Sequence, residues 1–177
     1  MLDSVNMKAT VSKEEFKKQS KLLKRELETL PQKIKAAKIP VIILFEGWGA
    51  AGKGSIISDL ILNFDPRGFK VYSTAEATET EKRHPLLWRH WQNLPEQGYM
   101  SILDRSWYQD VSIARVEDDL SDSETLHRMN SINTFERQLT DNGYLVLKFF
   151  LHIGQKEQRA RFEKLENDKN TAWRVTE

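Results

Sequence analysis

The sequence predicts an α/β fold in which a mainly parallel β-sheet lies between two layers of helices. Apolar, β-branched runs alternate with amphipathic stretches along the chain, as in successive βαβ units. The first of these runs leads directly into a glycine-rich loop and then a helical stretch, which is the order found at phosphate-binding loops. With 177 residues the chain is long enough for one domain with a substantial core, and short for two.

Composition and charge limit the class of partner. The chain is 39% hydrophobic and 30% charged with a net charge of +1, so the molecule as a whole does not attract polyanions, and we expect no nucleic-acid partner. The absence of cysteine excludes disulfides and thiolate metal sites, and the four histidines show no zinc-ligand spacing. The N-terminus lacks the apolar core of a signal peptide, and no apolar run reaches the length of a membrane span, so we expect a cytoplasmic protein without a membrane partner.

Residues 1–38 are predicted to form a helical segment that packs on the core. Ser12 and Glu15 have the spacing of a capping box, and Pro31 is expected to kink the helix or to begin a second one that ends near Lys38. The helix would carry one apolar stripe, formed by Phe16, Leu23, Leu27 and Leu30. This stripe either packs on the domain, which we expect, or forms a dimer seam.

Residues 39–177 are predicted to form the main domain, with a sequence that resembles a domain truncated at its C-terminus. The apolar runs predict strands at 39–46, 69–74, 99–104 and 144–153. The periodic stretches predict helices at 53–65, 81–94, 123–141 and 155–166. The run at 39–46 is continuously apolar, so we expect that strand to be buried on both faces of the sheet.

The loop reads EGWGAAGKGS from Glu46 to Ser55 and differs at one position from the G-x-x-x-x-G-K-[ST] pattern. Position 54 is Gly, where the pattern has a hydroxyl that holds Mg²⁺. Glycines allow backbone N–H groups to surround phosphate oxygens, and the following helix and Lys53 add positive charge. The predicted phosphate-binding residues of the loop are Gly47, Gly49, Ala50, Ala51, Gly52, Lys53, Gly54 and Ser55. The alternative is a tight turn with an incidental lysine.

Two further segments carry candidate site residues. Asp104 ends the apolar run 99–104, where the Mg²⁺-binding acid of a phosphoryl-transfer site is found, and Arg105 follows it. The segment LLWRHWQNLP at 86–95 is either a platform for base stacking or the packed stripe of a helix. Arg89 lies within it, and an arginine beside a packed face is held rigidly enough to bind phosphate.

Together these residues resemble the polyphosphate kinase type 2 family. The resemblance covers nearly the whole chain, through PVIILFEGWGAAGKG, DPRGFKVY, TETEKRHPLLWRHWQNLP, ILDRSWY, FERQLTDNGYLVLKFFLHI and EQRARFEKL. The tryptophans of EGW and LLWRHW look most like the polyphosphate:AMP phosphotransferase branch, whose members commonly carry two such domains. The family reads Gly-Lys-Gly in the loop, so Gly54 is a family feature.

The resemblance implies a P-loop kinase-like fold and Mg²⁺-dependent phosphoryl transfer between inorganic polyphosphate and a nucleotide. AMP to ADP is favoured and ADP to ATP stays open. It implies Lys53, Asp104 and Arg105 as catalytic residues, with Asp104 as the metal ligand. Arg67, Arg89 and Arg115 would bind phosphate. The partners would be polyphosphate, AMP or ADP, and either a second copy of the chain or a tandem second domain.

Three positions depart from the family pattern. Gly49 replaces an aspartate of the loop, where the family sequence implies that a side chain is accommodated. Asp110 replaces an arginine, and Ala114 replaces a glutamate in the segment that contains Arg115. These departures favour an alternative hypothesis, a catalytically degenerate domain that binds polyphosphate or supports an active second domain. A third hypothesis is an ATP-using kinase on the same scaffold.

Overall fold

A four-stranded parallel sheet forms the centre of the computed structural model, which describes residues 2–117 and 120–175. The strands are β1 (Val41–Gly47), β2 (Phe69–Ser73), β3 (Met100–Asp104) and β4 (Leu145–Leu151). Their order in the sheet is β2-β3-β1-β4, with every neighbouring pair parallel. The predicted strands are thus confirmed to within two residues at each end.

Helices cover both faces of this sheet, which confirms the three-layer α/β prediction. The α-helices are α1 (Lys13–Ala37), α2 (Lys53–Ile61), α3 (Trp88–Trp91), α4 (Gln109–Ser112), α5 (Ala114–Glu117), α6 (Asp122–Asp141) and α7 (Gln155–Asn167). Short 3-10 helices occupy Leu2–Ser4, Pro66–Gly68, Glu81–Arg83 and Ala172–Arg174. Within residues 2–117 and 120–175, none of the helices combines the length and the apolar character needed to cross a bilayer.

The core consists of two apolar clusters, one on each face of the sheet. The alternation of side chains along β1 explains this division, because successive residues of a strand point to opposite faces. The cluster beneath α6 contains Ile42, Leu44, Leu103, Trp107, Val111, Ile132, Phe135 and Leu139. The cluster beneath α1 and α2 contains Val41, Ile43, Phe45, Ile57, Phe64, Met100 and Ile102. β1 is therefore buried on both faces, as its sequence predicts.

β4 lies at the edge of the sheet and is far more exposed than β1. Three apolar side chains on one of its faces, Leu145, Leu147 and Phe149, are exposed, although Phe149 stacks on Phe45 with ring centroids 5.3 Å apart. Phe150, on the other face, is exposed as well. The apolar sequence of β4 predicts a strand, and the strand is confirmed. Its apolar side chains are nevertheless exposed, because β4 has a neighbouring strand, β1, on one side only.

Helix α1 packs on the core through its C-terminal part. Pro31 is buried, and Leu27 and Ile34 pack against the cluster beneath α1 and α2. The helix begins after Ser12, whose hydroxyl accepts the N–H of Glu15 at 3.2 Å, and its helical conformation continues through Pro31 to Ala37. The other members of the predicted stripe, Phe16, Leu23 and Leu30, are exposed. A boundary at residue 38 between two domains stays a prediction.

The predicted helix at 81–94 is wrong. The structure has a 3-10 turn at Glu81–Arg83, an extended residue at His84, and only one helical turn at Trp88–Trp91. Pro85 explains the interruption, because a proline disfavours helical conformation at the residue before it. The buried side chain of this segment is His90, whereas Trp91 is 47% exposed and packs edge-on against Phe135.

Replacing Phe135 with Ala should lower the free energy of unfolding by about 4 kcal/mol, because it removes a buried ring and leaves a cavity. Phe135 is 2% exposed and contacts the rings of Trp107 and Trp91. Leu126→Ala on the same helix is the control, since Leu126 is 62% exposed and its loss should cost no more than about 0.5 kcal/mol. Urea unfolding of the three proteins measures both values, and equal costs would contradict this description of the core.

Candidate active site

The glycine loop between β1 and α2 requires glycine at its first position. Gly47 has φ of +132°, and a Cβ built on it would lie 2.3 Å from the carbonyl oxygen of Leu151 in β4. Gly52, which precedes α2, has φ of +101°. Both conformations are strained for residues with a side chain, so the glycines allow the tight approach of the loop to β4 and to the start of α2.

Lys53 begins α2 and turns its ammonium group back into the loop. Nζ donates to the carbonyl oxygens of Gly47 at 2.9 Å and Trp48 at 3.1 Å, and the residue is buried. Burial lowers the pKa of Lys53 below its ordinary value, the nearby Arg105 cation lowers it further, and Asp104 and Glu46 oppose the shift. The cation is thus held inside the loop, where phosphate oxygens could replace the two carbonyls.

Asp104 reaches this loop because β3 pairs with β1. It lies opposite Phe45 at the carboxyl ends of the two strands, and a Cβ built on Gly54 would lie 4.0 Å from Oδ2 of Asp104. Among residues 2–117 and 120–175, no group forms a hydrogen bond or salt bridge with the Asp104 carboxylate. One available carboxylate next to a phosphate loop fits Mg²⁺, which proteins commonly hold through one or two carboxylates and substrate phosphates.

Arg105 continues the same edge in a strained conformation. Its φ is +66°, which is uncommon for a residue with a long side chain. Its N–H donates to the carbonyl oxygen of Phe45 at 2.9 Å, and its own carbonyl oxygen accepts the hydroxyl of Thr74 at 3.1 Å. Contacts with Phe45 of β1 and with Thr74, which follows β2, therefore hold the backbone of the exposed Arg105 beside Lys53 and Asp104. The structure brings the three predicted catalytic residues together.

Glu46 is a second carboxyl group at the loop, which the sequence analysis missed. Its Oε1 accepts the hydroxyl of Ser106 at 2.6 Å. Burial raises the pKa of Glu46 above its ordinary value, while the Ser106 hydrogen bonds and the charges of Lys53 and Arg105 act in the opposite direction. Its position at the polar end of an apolar strand, directly before the loop, is the sequence signal that could have identified it.

Helix α7 packs over the loop and is the second feature that the sequence analysis missed. The side-chain amide of Gln158 donates to the carbonyl oxygen of Gly49 at 3.1 Å. The guanidinium of Arg161 donates to the carbonyl oxygens of Ala50 at 3.3 Å and Ala51 at 3.1 Å. These contacts span more than a hundred positions of sequence, so no local pattern could have indicated them.

Comparison with known proteins agrees with this geometry. The polyphosphate kinase 2 family, PPK2, matches residues 10–177. The chain belongs to the polyphosphate kinase 2 family. The predicted resemblance is therefore confirmed.

Three relatives show how much of a PPK2 protein this chain represents. A polyphosphate:AMP phosphotransferase of Pseudomonas syringae pv. tomato is 34% identical over 177 residues, which are 100% of this chain and 36% of the relative. An ADP-polyphosphate phosphotransferase of Rhodopseudomonas palustris is 33% identical over 148 residues, covering 77% of this chain and 51% of the relative. The crystal structure of polyphosphate kinase 2 from Arthrobacter aurescens TC1 has a TM-score of 0.92 at 29% identity, covering 99% of this chain and 65% of the other. The chain spans about a third of the first relative, and its P-loop kinase-like fold is confirmed.

In this PPK2 chain, the Phe162 ring packs closely on position 49, where the family usually carries an aspartate. A Cβ built on Gly49 would lie 2.8 Å from Cζ of Phe162, on α7, and 3.6 Å from the Gln158 amide nitrogen. A side chain at position 49 therefore requires the Phe162 ring to shift, and the expectation that one is accommodated there stays a prediction. The glycine at position 49 allows α7 to pack closely on the loop through Phe162.

Asp110 and Arg89 form a pair beside the PPK2 site. The Asp110 carboxylate accepts a hydrogen bond from the Arg89 guanidinium and another at 2.8 Å from Nε2 of His90. Arg89 also donates to the carbonyl oxygen of Ala75 at 2.9 Å, and Arg128 donates to the Asp110 backbone oxygen at 2.7 Å. Asp110 thus neutralises and positions Arg89, and a contact of Arg89 with phosphate, which stays a prediction, would require an exchange of partners.

The structure does not bring Arg67 to the loop. Arg67 lies just before β2, and the loop lies at the opposite, carboxyl end of the parallel strands. Five strand residues separate these ends by roughly 15 Å at about 3.3 Å per residue. The Arg67 side chain is exposed and pairs with Asp65 at 2.7 Å. We therefore leave Arg67 out of the candidate site.

Arg115 lies on α5, on the chain segment that follows Asp104, and its side chain is half exposed. It pairs with Asp122 at 2.6 Å. Ala114, which precedes it, is buried. The role of Arg115 in phosphate binding stays a prediction.

Asp110→Asn should lower the free energy of unfolding by about 3 kcal/mol, because it leaves the largely buried Arg89 cation without its anion. Asp122→Asn is the matched control, since its carboxylate is 91% exposed against 12% for Asp110, and its loss should cost about 0–1 kcal/mol. Urea unfolding at fixed ionic strength gives both values, because urea is uncharged and does not screen the pair. An Asp110 cost no larger than the control would contradict the role of this pair.

Glu46→Gln should become more stable relative to the parent as the pH rises from about 4 to about 8. A carboxyl whose folded-state pKa is raised stabilises the fold when it is protonated, and that stability is lost as the pH rises through the raised pKa. The amide stays neutral and can still accept the Ser106 hydroxyl. Urea unfolding across this range measures the difference, with exposed Glu166→Gln as the control for loss of one charge. A difference that is independent of pH would contradict the raised pKa.

Proposed function

We propose that this chain catalyses Mg²⁺-dependent phosphoryl transfer between inorganic polyphosphate and a nucleotide, with AMP to ADP favoured and ADP to ATP as the further reaction. The observation that carries the proposal is the convergence of Lys53, Asp104 and Arg105 around one glycine loop. Membership of the PPK2 family supports it, as do the names of the relatives, which include transferases of AMP and ADP.

The site residues suit a reaction whose transition state is loose and highly anionic. Lys53 would exchange the carbonyl oxygens of Gly47 and Trp48 for oxygens of the transferred phosphoryl group. Arg105, whose backbone is fixed by the contacts with Phe45 and Thr74, would supply a second positive charge to the transferred group. Phosphate binding would also raise the lowered pKa of Lys53, because an anion favours the charged ammonium.

Asp104 would hold Mg²⁺ together with phosphate oxygens and water. The metal, when bound, neutralises charge on the phosphoryl group and fixes its orientation. Gly54 keeps the space in front of Asp104 open, so the loop hydroxyl of other P-loop enzymes is not part of this arrangement.

A catalytically degenerate domain is the second candidate, and one observation favours it. Phe162 fills the space beside Gly49, so the loop lacks the carboxylate that the family usually has there. Such a domain would bind polyphosphate or support an active partner domain.

For either function we propose that the protein is cytoplasmic and that it forms a homo-oligomer or is joined to a tandem second domain. The exposed apolar residues of α1, which are Phe16, Leu23 and Leu30, support such an association.

Lys53→Met should lower the rate of ADP formation from AMP, polyphosphate and Mg²⁺ by at least about a hundredfold, since it removes the cation at the loop. Lys82→Met is the control, because Lys82 is a surface residue that pairs with Glu76 and Glu79. Undiminished turnover by the Lys53 variant would remove this site from the mechanism. An inactive parent that still binds polyphosphate would establish the degenerate alternative, and turnover with ATP but not with polyphosphate would indicate an ATP-using kinase.

A further inference from the structure

Trp48 is an aromatic residue inside the phosphate loop, between Gly47 and Gly49, and it is 43% exposed. Its own carbonyl oxygen accepts a hydrogen bond from the Lys53 ammonium at 3.1 Å, so the indole belongs to a residue that contacts the main cation of the site. The buried Trp107, by contrast, contributes its ring to the core. A large ring exposed at the edge of an anion site is available for contact with a ligand.

The Trp48 ring is held in position by the end of β4. Its Nε1–H donates to Nδ1 of His152 at 2.8 Å. Phe150 contacts the indole edge-to-face, with ring centroids 5.7 Å apart and an interplanar angle of 87°. The backbone N–H of Trp48 donates to the carbonyl oxygen of Leu151 at 3.4 Å. A ring that is already positioned loses little further conformational freedom when a ligand stacks on it.

The simplest alternative is that Trp48 only covers Phe150, as one aromatic residue packs on another. That role would not require an indole in the glycine loop, because Phe150 is itself 49% exposed and remains poorly covered. Nor does it use the charge of Lys53, whose ammonium contacts the carbonyl oxygen of Trp48. A flat aromatic surface near this cation has the recognition chemistry of a nucleotide, which joins an anionic phosphate to a planar base.

We propose that Trp48 and His152 form the subsite for the purine base of the nucleotide, with the base stacked on the indole and its phosphate toward Lys53. Because Nδ1 of neutral His152 accepts from Trp48, the ring proton is on Nε2, where it can donate to a purine nitrogen. The subsite deepens the proposed function, since it assumes that a nucleotide phosphate binds at the loop. It makes Trp48 a residue that determines preference for nucleotides over phosphates without a base.

The test compares AMP with ribose 5-phosphate, which has the same sugar and phosphate but no base. Calorimetric titration in Mg²⁺ should show Trp48→Leu binding AMP about tenfold more weakly, within the range expected for loss of one base–aromatic contact. Its affinity for ribose 5-phosphate and for inorganic tripolyphosphate should be unchanged, which also reports an intact loop. Trp48→Phe, which keeps an aromatic face, should retain most of the AMP affinity.

Trp91→Leu is the matched control, because Trp91 is similarly exposed at 47%, packs edge-on against Phe135, and lies outside the loop. It should bind all three ligands like the parent. If Trp48→Leu lost affinity equally for AMP and ribose 5-phosphate, or lost none for AMP, the subsite would be overturned. Retained binding of tripolyphosphate would then leave the proposed function intact. A parent that binds neither AMP nor tripolyphosphate would overturn both.

Discussion

The parallel pairing of β1 and β3 is the constraint on which the site depends. It sets Asp104 opposite Phe45, and one further backbone contact, from the Arg105 N–H to the Phe45 carbonyl oxygen at 2.9 Å, fixes where the chain turns away. A shift of one residue would reverse the faces of all β3 side chains and move the acid from the loop. The buried residues of both strands prevent that shift, because each face of the sheet has its own apolar cluster.

The phosphate loop is held from its far side by elements late in the chain. Leu151 of β4 approaches Gly47 so closely that no side chain fits there, and α7 reaches the loop through Gln158, Arg161 and Phe162. These contacts hold the loop carbonyls, and Lys53 holds two more from within. The shape of the loop is therefore determined before phosphate arrives, which is the preorganisation that electrostatic catalysis requires.

The basic residues around the site fall into two groups, those that pair with a carboxylate and those that do not. Asp110 neutralises Arg89, and Asp122 pairs with Arg115, so these two cations have anionic partners when no phosphate is present. For Lys53 the partners are neutral backbone carbonyls, and no residue in the described ranges forms a salt bridge with Arg105. In the proposed reaction, an incoming phosphate chain would therefore meet Lys53 and Arg105 outside any salt bridge of the described residues, while Arg89 is already engaged in a largely buried ion pair with Asp110.

The sequence by itself determined the order of the strands along the chain and the glycine loop between β1 and α2, because each depends on a local pattern. The choice of Lys53, Asp104 and Arg105 as site residues also rested on the resemblance to a known family. A buried parallel strand must be continuously apolar, and a tight loop needs glycine. An acid at the end of a strand can be identified from the sequence of that strand alone. The incorrect prediction of a helix at 81–94 also concerned a local pattern, because Pro85 interrupts that segment in the sequence itself. Tertiary structure alone decided that Arg67 lies at the wrong end of the sheet, that Asp110 serves Arg89, and that Phe162 fills the space beside Gly49. Those relations join residues distant in sequence, and their side-chain contacts follow from how the elements pack and not from the pattern of any one of them.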